Sequence, residues 1–205
     1  MSVRPDSAET CGLLEGVRRG EARALDRLLA RHRPALQAFV DARLDPRVRA
    51  RLDPSDVVQE AQLEVARRMD DFLARRPMPF HLWVRKTAYQ RLLNAQRDHR
   101  RARRSVDREV ALPDRSSLLL ARPLLNRGPT PSQQAQAREL AERISRAVAE
   151  LAEADREVLL MRHGEALSYE EIAVLLETTP AAARKRYGRA LIRLQAVLSD
   201  NGLLE

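Results

Sequence analysis

Apolar side chains at Leu25, Leu28, Leu29, Leu36 and Val40 recur at near-helical intervals and predict a helix with one buried stripe. After a break at LDPRVRARLDPSD the pattern resumes with Val57, Val58, Ala61, Val65 and Met69. Ser55, or Asp53 with Pro54 at the first helical position, supplies the start signal. A turn containing Pro77 and Pro79 interrupts the period. Phe80, Trp83, Val84, Ala88, Leu92 and Leu93 then mark another helix, which runs into the basic string RDHRRARR. Residues 105–133 differ: Pro113, Pro123, Pro129, Pro131 and Gly128 punctuate a stretch without amphipathic period, which reads as a flexible linker. Its Leu118, Leu119, Leu120, Leu124 and Leu125 are unfavourable in water and predict a segment that docks on something. The remainder reads as four helices. Leu140, Ile144, Val148 and Leu151 form one stripe; Val158, Leu159 and Met161 lie on a second helix that Gly164 stops, and two more follow.

The expectation is therefore an all-α protein of two small helical domains, residues 8–104 and 134–199, joined by the linker 105–133. Composition agrees. Apolar residues are 44% of the chain but aromatics only 3%, so the cores must be built from Ala, Leu and Val, which favours packed helices over sheet.

Charge narrows the partners. The net charge of +8 points to a polyanion, nucleic acid or a membrane surface. Only Lys86 and Lys185 among the 37 cationic residues are lysines. Guanidinium suits phosphates and base edges, although codon usage in a GC-rich genome yields the same bias. No apolar run is long enough for a signal peptide or membrane span, which leaves nucleic acid as the better polyanion. The single Cys11 excludes an internal disulfide, and His32, His81, His99 and His163 show no ligand spacing. A cytoplasmic protein without metal or cofactor is expected. Nothing pairs a nucleophile with a base or forms a phosphate loop, so no enzyme is indicated.

The sharpest motif is near the C-terminus. Ser168 to Glu171 (SYEE) has capping-box spacing, in which hydroxyl and carboxylate satisfy each other's backbone amides. Ile172, Ala173, Leu175 and Leu176 supply a buried stripe, and Thr179 with Pro180 begins a new helix a few residues later. This is helix-turn-helix spacing. On the second helix, 100° per residue sets Ala183, Tyr187, Ala190, Leu191, Leu194 and Leu198 opposite Lys185, Arg186, Arg189 and Arg193. No acid occurs between Glu177 and Asp200, whereas a helix meeting only water would intersperse Glu with Arg. Ala181 and Ala182 let the backbone approach a major groove, with Arg184 and Lys185 reaching base edges.

The stretch ADREVLLMRHGEALSYEEIAVLLETTPAAARKRYGRALIRLQAVL resembles region 4 of bacterial RNA polymerase sigma factors of the extracytoplasmic-function type. DPSDVVQEAQLEVARRMDDF resembles their region 2.2, with Asp56, Gln59 and Glu60 at the D-x-x-Q-E positions, and PFHLWVRKTAYQRLLNAQRDHRR resembles regions 2.3 and 2.4. The chain departs from the family pattern in three places. Glu177 and Thr178 stand where Gly and an apolar residue are usual, so the turn lacks glycine's freedom at positive φ. LDPRVRAR lengthens a connection, and Arg85 and Lys86 replace an apolar or aromatic residue and an arginine.

The resemblance implies a sigma factor whose partners are core polymerase, through the β′ coiled coil and the β flap, promoter DNA and an anti-sigma factor. It implies that Ala181, Ala182, Arg184, Lys185, Arg186 and Arg189 meet the −35 element, and that Asp56, Gln59 and Glu60 meet the polymerase. For melted −10 DNA it points to the loop Asp70 to Pro79 with Arg75 and Arg76. Lys86, Gln90, Asn94 and Arg97 follow on successive turns as a polar ridge suited to duplex DNA. Phe80 and Trp83 are better read as core than as base-stacking platforms, given their i, i+3 spacing beside Val84. Two rivals stand beside this reading. A stand-alone helix-turn-helix regulator would bind its site without polymerase; a basic scaffold would bind without sequence preference.

Overall fold

The computed structural model describes residues 3–44, 53–103 and 131–203, all helical or connecting backbone. The linker leucines, residues 105–130 of the linker and most of LDPRVRAR lie outside them. The chain divides into two compact units, residues 2–109 and residues 110–205.

In the first unit α1 (Ala8–Arg18) packs on α2 (Ala24–Asp41), and α2 packs on α3 (Pro54–Arg67) and α5 (Phe80–Arg103). A short α4 (Met69–Arg75) follows α3. Asp53 provides the start of α3, its carboxylate accepting from the Ser55 amide at 2.8 Å, with Pro54 in the first turn. All five positions of the second predicted stripe, Val57, Val58, Ala61, Val65 and Met69, are buried. On α2, Leu28, Leu36 and Val40 are buried while Leu25 and Leu29 are half-buried. The few aromatics concentrate here: Phe72 stacks on Trp83 at 4.4 Å between centroids, and Phe80 meets both edge-on or tilted. Phe80 and Trp83 are core, as their spacing predicts.

One end of this unit is held by ionisable groups. His32 packs edge-on against Phe80, and its Nε2 lies 3.3 Å from the Thr10 hydroxyl. Burial pushes the imidazole below its ordinary value, as do Arg31 and His81, and Asp6 only partly offsets them. Burial would raise the Asp6 carboxyl, but bonds from the His81 ring and from the His81 and Phe80 amides hold it below its ordinary value. Both depressed values mean that the unfolded chain binds protons more readily, so stability falls with acidification. The His32 contribution fades as pH drops through 6.5, the unfolded value, and the Asp6 contribution as pH drops below 3.8. Urea unfolding across that range is expected to show both stages, and His32→Gln to flatten the first.

The second unit comprises α6 (Pro131–Glu150), α7 (Glu153–Leu159), a π-helical turn at Leu160–Gly164, α8 (Tyr169–Leu175) and α9 (Pro180–Asp200). Val158, Leu159, Leu160, Met161, Leu167 and Ile172 fill its centre. The predicted stripe on α6 is only partly inward: Val148 and Leu151 are buried, but Leu140 is exposed, with Ala147 taking up the buried face instead. No described helix is long and apolar enough to cross a membrane.

Candidate nucleic-acid interface

The helix-turn-helix forms from the local signals in its sequence. Ser168 Oγ accepts from the Glu171 amide at 3.2 Å, and the Glu171 carboxylate accepts from the Ser168 amide at 2.8 Å. Glu171 is fully buried, so this reciprocal pair both starts α8 and plugs the unit's interior. Thr179 caps α9, its hydroxyl accepting from the Ala182 amide at 3.2 Å.

Between them the chain turns through a left-handed residue. Glu177 has φ 52°, and the Thr178 amide donates to the Ala173 carbonyl at 2.9 Å. That is the Schellman arrangement, which favours glycine at the left-handed position. The turn therefore takes the backbone shape that glycine would ease, with a Cβ present, at a cost of about 1 to 2 kcal/mol.

The structure sorts the cations of α9 by neighbour. Ala181, Ala182, Lys185 and Arg189 are exposed and share one face, Arg186 lies half-buried at its border, and Ala183 and Ala190 face the core. Arg184 leans the other way, its guanidinium 5.1 Å from the Tyr169 ring, which Arg162 approaches at 5.0 Å. Arg193 is exposed like the outward cations, but it is engaged within the unit. It pairs with Asp155 on α7, whose side chain is 6% exposed, and so ties α9 to α7. The helical period puts Arg193 in the outward sector, and the buried acid that engages it comes from another helix. The predicted apolar sector is also narrower, since Leu191 is 38% exposed and Ile192, on the outward side, 68%. Tyr187 shares a 2.7 Å hydrogen bond with His163 Nε2 and packs against Tyr169. Burial raises its phenol, reinforced by Tyr169, so it remains neutral.

On the first unit, Asp56, Gln59 and Glu60 are all exposed on α3. Leu63, 50% exposed, completes their i, i+3, i+4, i+7 face. Leu63 belongs to no predicted stripe, and its signal in the sequence is a leucine lying off the buried period of α3.

The expected loop from Asp70 to Pro79 is half helix. Residues Met69–Arg75 form α4, with Asp70 and Asp71 in its first turn where acids suit the helix dipole. Arg75 pairs with Asp71 at 2.9 Å, and Arg76 ends the helix at φ 38°. The non-helical stretch is thus Arg76 to Pro79. Along α5, Lys86 is half-buried and Gln90, Asn94 and Arg97 are exposed. Arg97 is partly engaged at home, donating to the Asn94 side chain and, at 3.3 Å, to the Leu93 carbonyl.

Comparison with known proteins places this geometry. The family described as sigma-70, region 4, matches residues 141–194, which include α8 and most of α9. The chain is 31% identical over 179 residues to the RNA polymerase sigma factor CnrH of Cupriavidus metallidurans, covering 87% of this chain and 88% of that protein. It is 27% identical over 180 residues to the RNA polymerase sigma-H factor of Pseudomonas aeruginosa, with the same coverage, 87% and 88%. Among solved structures, CnrH in complex with the cytosolic domain of CnrY matches with a TM-score of 0.57 at 25% identity, over 95% of this chain and 99% of that one. The sigma factor RpoE of Bartonella quintana, in complex with the anti-sigma factor NepR, shares the fold with a TM-score of 0.57 at 18% identity, over 87% of this chain and 98% of that one. The extent of these likenesses reaches well beyond the helix-turn-helix, and the chain belongs to the bacterial RNA polymerase sigma factors of the sigma-70 family, extracytoplasmic-function type.

Proposed function

We propose that this sigma factor reads the −35 duplex with the outward face of α9 and engages core polymerase and the −10 element through its first unit. The observation that carries the first assignment is the one-sign face on a capped second helix: Lys185 and Arg189 exposed, Arg186 at the border, and Ala181 and Ala182 at the exposed N-terminal end. Small residues there permit close approach to a groove, and the cations reach base edges or phosphates. Arg184, leaning on Tyr169, is better suited to a backbone phosphate beside the groove.

Asp56, Gln59, Glu60 and Leu63 form the polymerase-facing surface in this reading, directed at the β′ coiled coil, while the second unit meets the β flap. An acidic and amide rim around one exposed leucine suits a helical partner with cationic side chains. Arg75, Arg76 and the Arg76–Pro79 loop hold melted −10 DNA. Lys86, Gln90, Asn94 and Arg97 track the adjacent duplex. The domains follow: 8–104 for polymerase and −10, 134–199 for −35, with 105–133 between. The protein works by binding, in the cytoplasm, and leaves the chemistry to polymerase. CnrH is seen with the cytosolic domain of CnrY, and an anti-sigma partner is part of this proposal.

Single alanine substitutions at Lys185, Arg186 and Arg189, assayed as holoenzyme, test the −35 assignment. A base contact is expected to cost about 1 to 3 kcal/mol on the cognate element and little on a scrambled one. A phosphate contact weakens both equally. No effect at any of the three removes α9 as the reading helix.

A further inference from the structure

Helix α5 starts without a cap of its own. The Pro79 carbonyl accepts from the Leu82 and Trp83 amides at 3.1 and 3.0 Å, which makes Pro79 the capping residue, and proline offers no side-chain acceptor. The first amides of a helix have no intrahelical partner and must find one. Here the partner comes from the far end of the sequence. Asp6 accepts from the Phe80 amide at 2.6 Å with one carboxylate oxygen and from the His81 amide at 3.0 Å with the other. The His81 ring Nδ1 lies 2.8 Å from that second oxygen, and the Asp6 side chain is only 10% exposed.

The next residue does the same for another helix. Ser7 caps α1, its hydroxyl accepting from the Thr10 amide at 3.3 Å, and also accepts from Arg31 of α2 at 3.3 Å. Arg31 pairs in turn with Glu9. Two adjacent residues therefore fasten the starts of α1 and α5 together and bind both to α2. They flank a cleft of about 510 Å³ with Arg4, Arg85 and His32 on its walls.

The consequence falls on the loop that α5 terminates. Arg76 to Pro79 is four residues long, fixed on one side by the left-handed end of α4 and on the other by the start of α5. We infer that Asp6 is a positioning residue for promoter opening, a cap supplied from the N-terminal segment that sets where the Arg76–Pro79 loop sits. This rests on the proposal that the loop holds melted −10 DNA. Asp6 itself touches no DNA in this reading.

The test uses full-length protein reconstituted with core polymerase. Three quantities are read for each variant: affinity for core, affinity for a duplex carrying only the −35 element, and the opening rate from 2-aminopurine fluorescence at −10. Asp6→Ala is expected to slow opening about tenfold, the scale of a lost cap, while core and −35 affinities stay within about twofold. Asp6→Asn keeps an amide acceptor and is expected to recover much of the loss. Opening unchanged in Asp6→Ala overturns the inference. So does a parallel fall of all three quantities, which marks a general loss of folded protein. Arg76→Ala separates this inference from the reading beneath it. If Arg76→Ala slows opening and Asp6→Ala does not, only the cap role falls; if Arg76→Ala has no effect, the loop assignment falls and takes the cap role with it.

Discussion

Leu63→Glu is expected to weaken binding to core polymerase by about 2 to 4 kcal/mol, the range of a central interface residue, while leaving the protein folded. The side chain is 50% exposed and lies outside the buried set of α3, so its replacement removes little from the core. Surface changes of this kind ordinarily alter stability by less than about 0.5 kcal/mol. Its neighbours Asp56, Gln59 and Glu60 form an exposed polar rim, and rim charges act more on association rate than on affinity. The Asp56→Ala and Gln59→Ala pair should therefore slow association and make it less salt-sensitive, and Leu63→Glu should dominate the equilibrium loss. Titration of labelled core against each variant, beside thermal unfolding, measures both. Unchanged core affinity for Leu63→Glu removes α3 from the polymerase interface.

The second large effect is on stability. Arg193→Ala is expected to destabilise the second unit by roughly 1 to 3 kcal/mol, because it strands the Asp155 carboxylate with its side chain 6% exposed. The figure sits below that for a fully buried pair because Arg193 itself is 58% exposed and partly screened. Adding Asp155→Ala to Arg193→Ala should cost little more, since the penalty belongs to the pair. Arg189→Ala, on the exposed face, should leave stability alone and weaken DNA binding instead. Denaturant unfolding of these three variants and of Asp155→Ala alone separates these behaviours; additive losses at Arg193 and Asp155 would show that the pair does not couple α7 to α9.

These two residues show what a one-dimensional reading reaches. Capping is local, within three or four residues, so Ser168 with Glu171 and Thr179 with Pro180 announce the helix-turn-helix directly, and the structure forms those bonds. Stripes are local too, and the buried positions of α3 follow their period. Arg193 shares the angular sector of Arg189, and only its distance to Asp155, 38 residues earlier, separates their roles. Asp6 is more remote still, since nothing in PMPFHLW names the carboxylate 74 residues away that caps it. Glu177 shows the converse: its identity argues against a left-handed turn, yet the Thr178 to Ala173 bond holds it there. Leu63 was legible in principle, as an apolar residue out of period, but a stripe search passes over the residue that does not fit.

In this reading the two units act together on RNA polymerase, and not alone as a repressor or a basic scaffold. The decisive experiment is reconstituted transcription with sigma-free core, on promoter templates selected for binding by the reconstituted holoenzyme. The full chain is expected to bind core and direct initiation from a defined start site, with little promoter-specific binding in the absence of core. Tight, specific binding by the protein alone, or failure to direct start-site-specific initiation with core, would rule out joint action of the two units on polymerase.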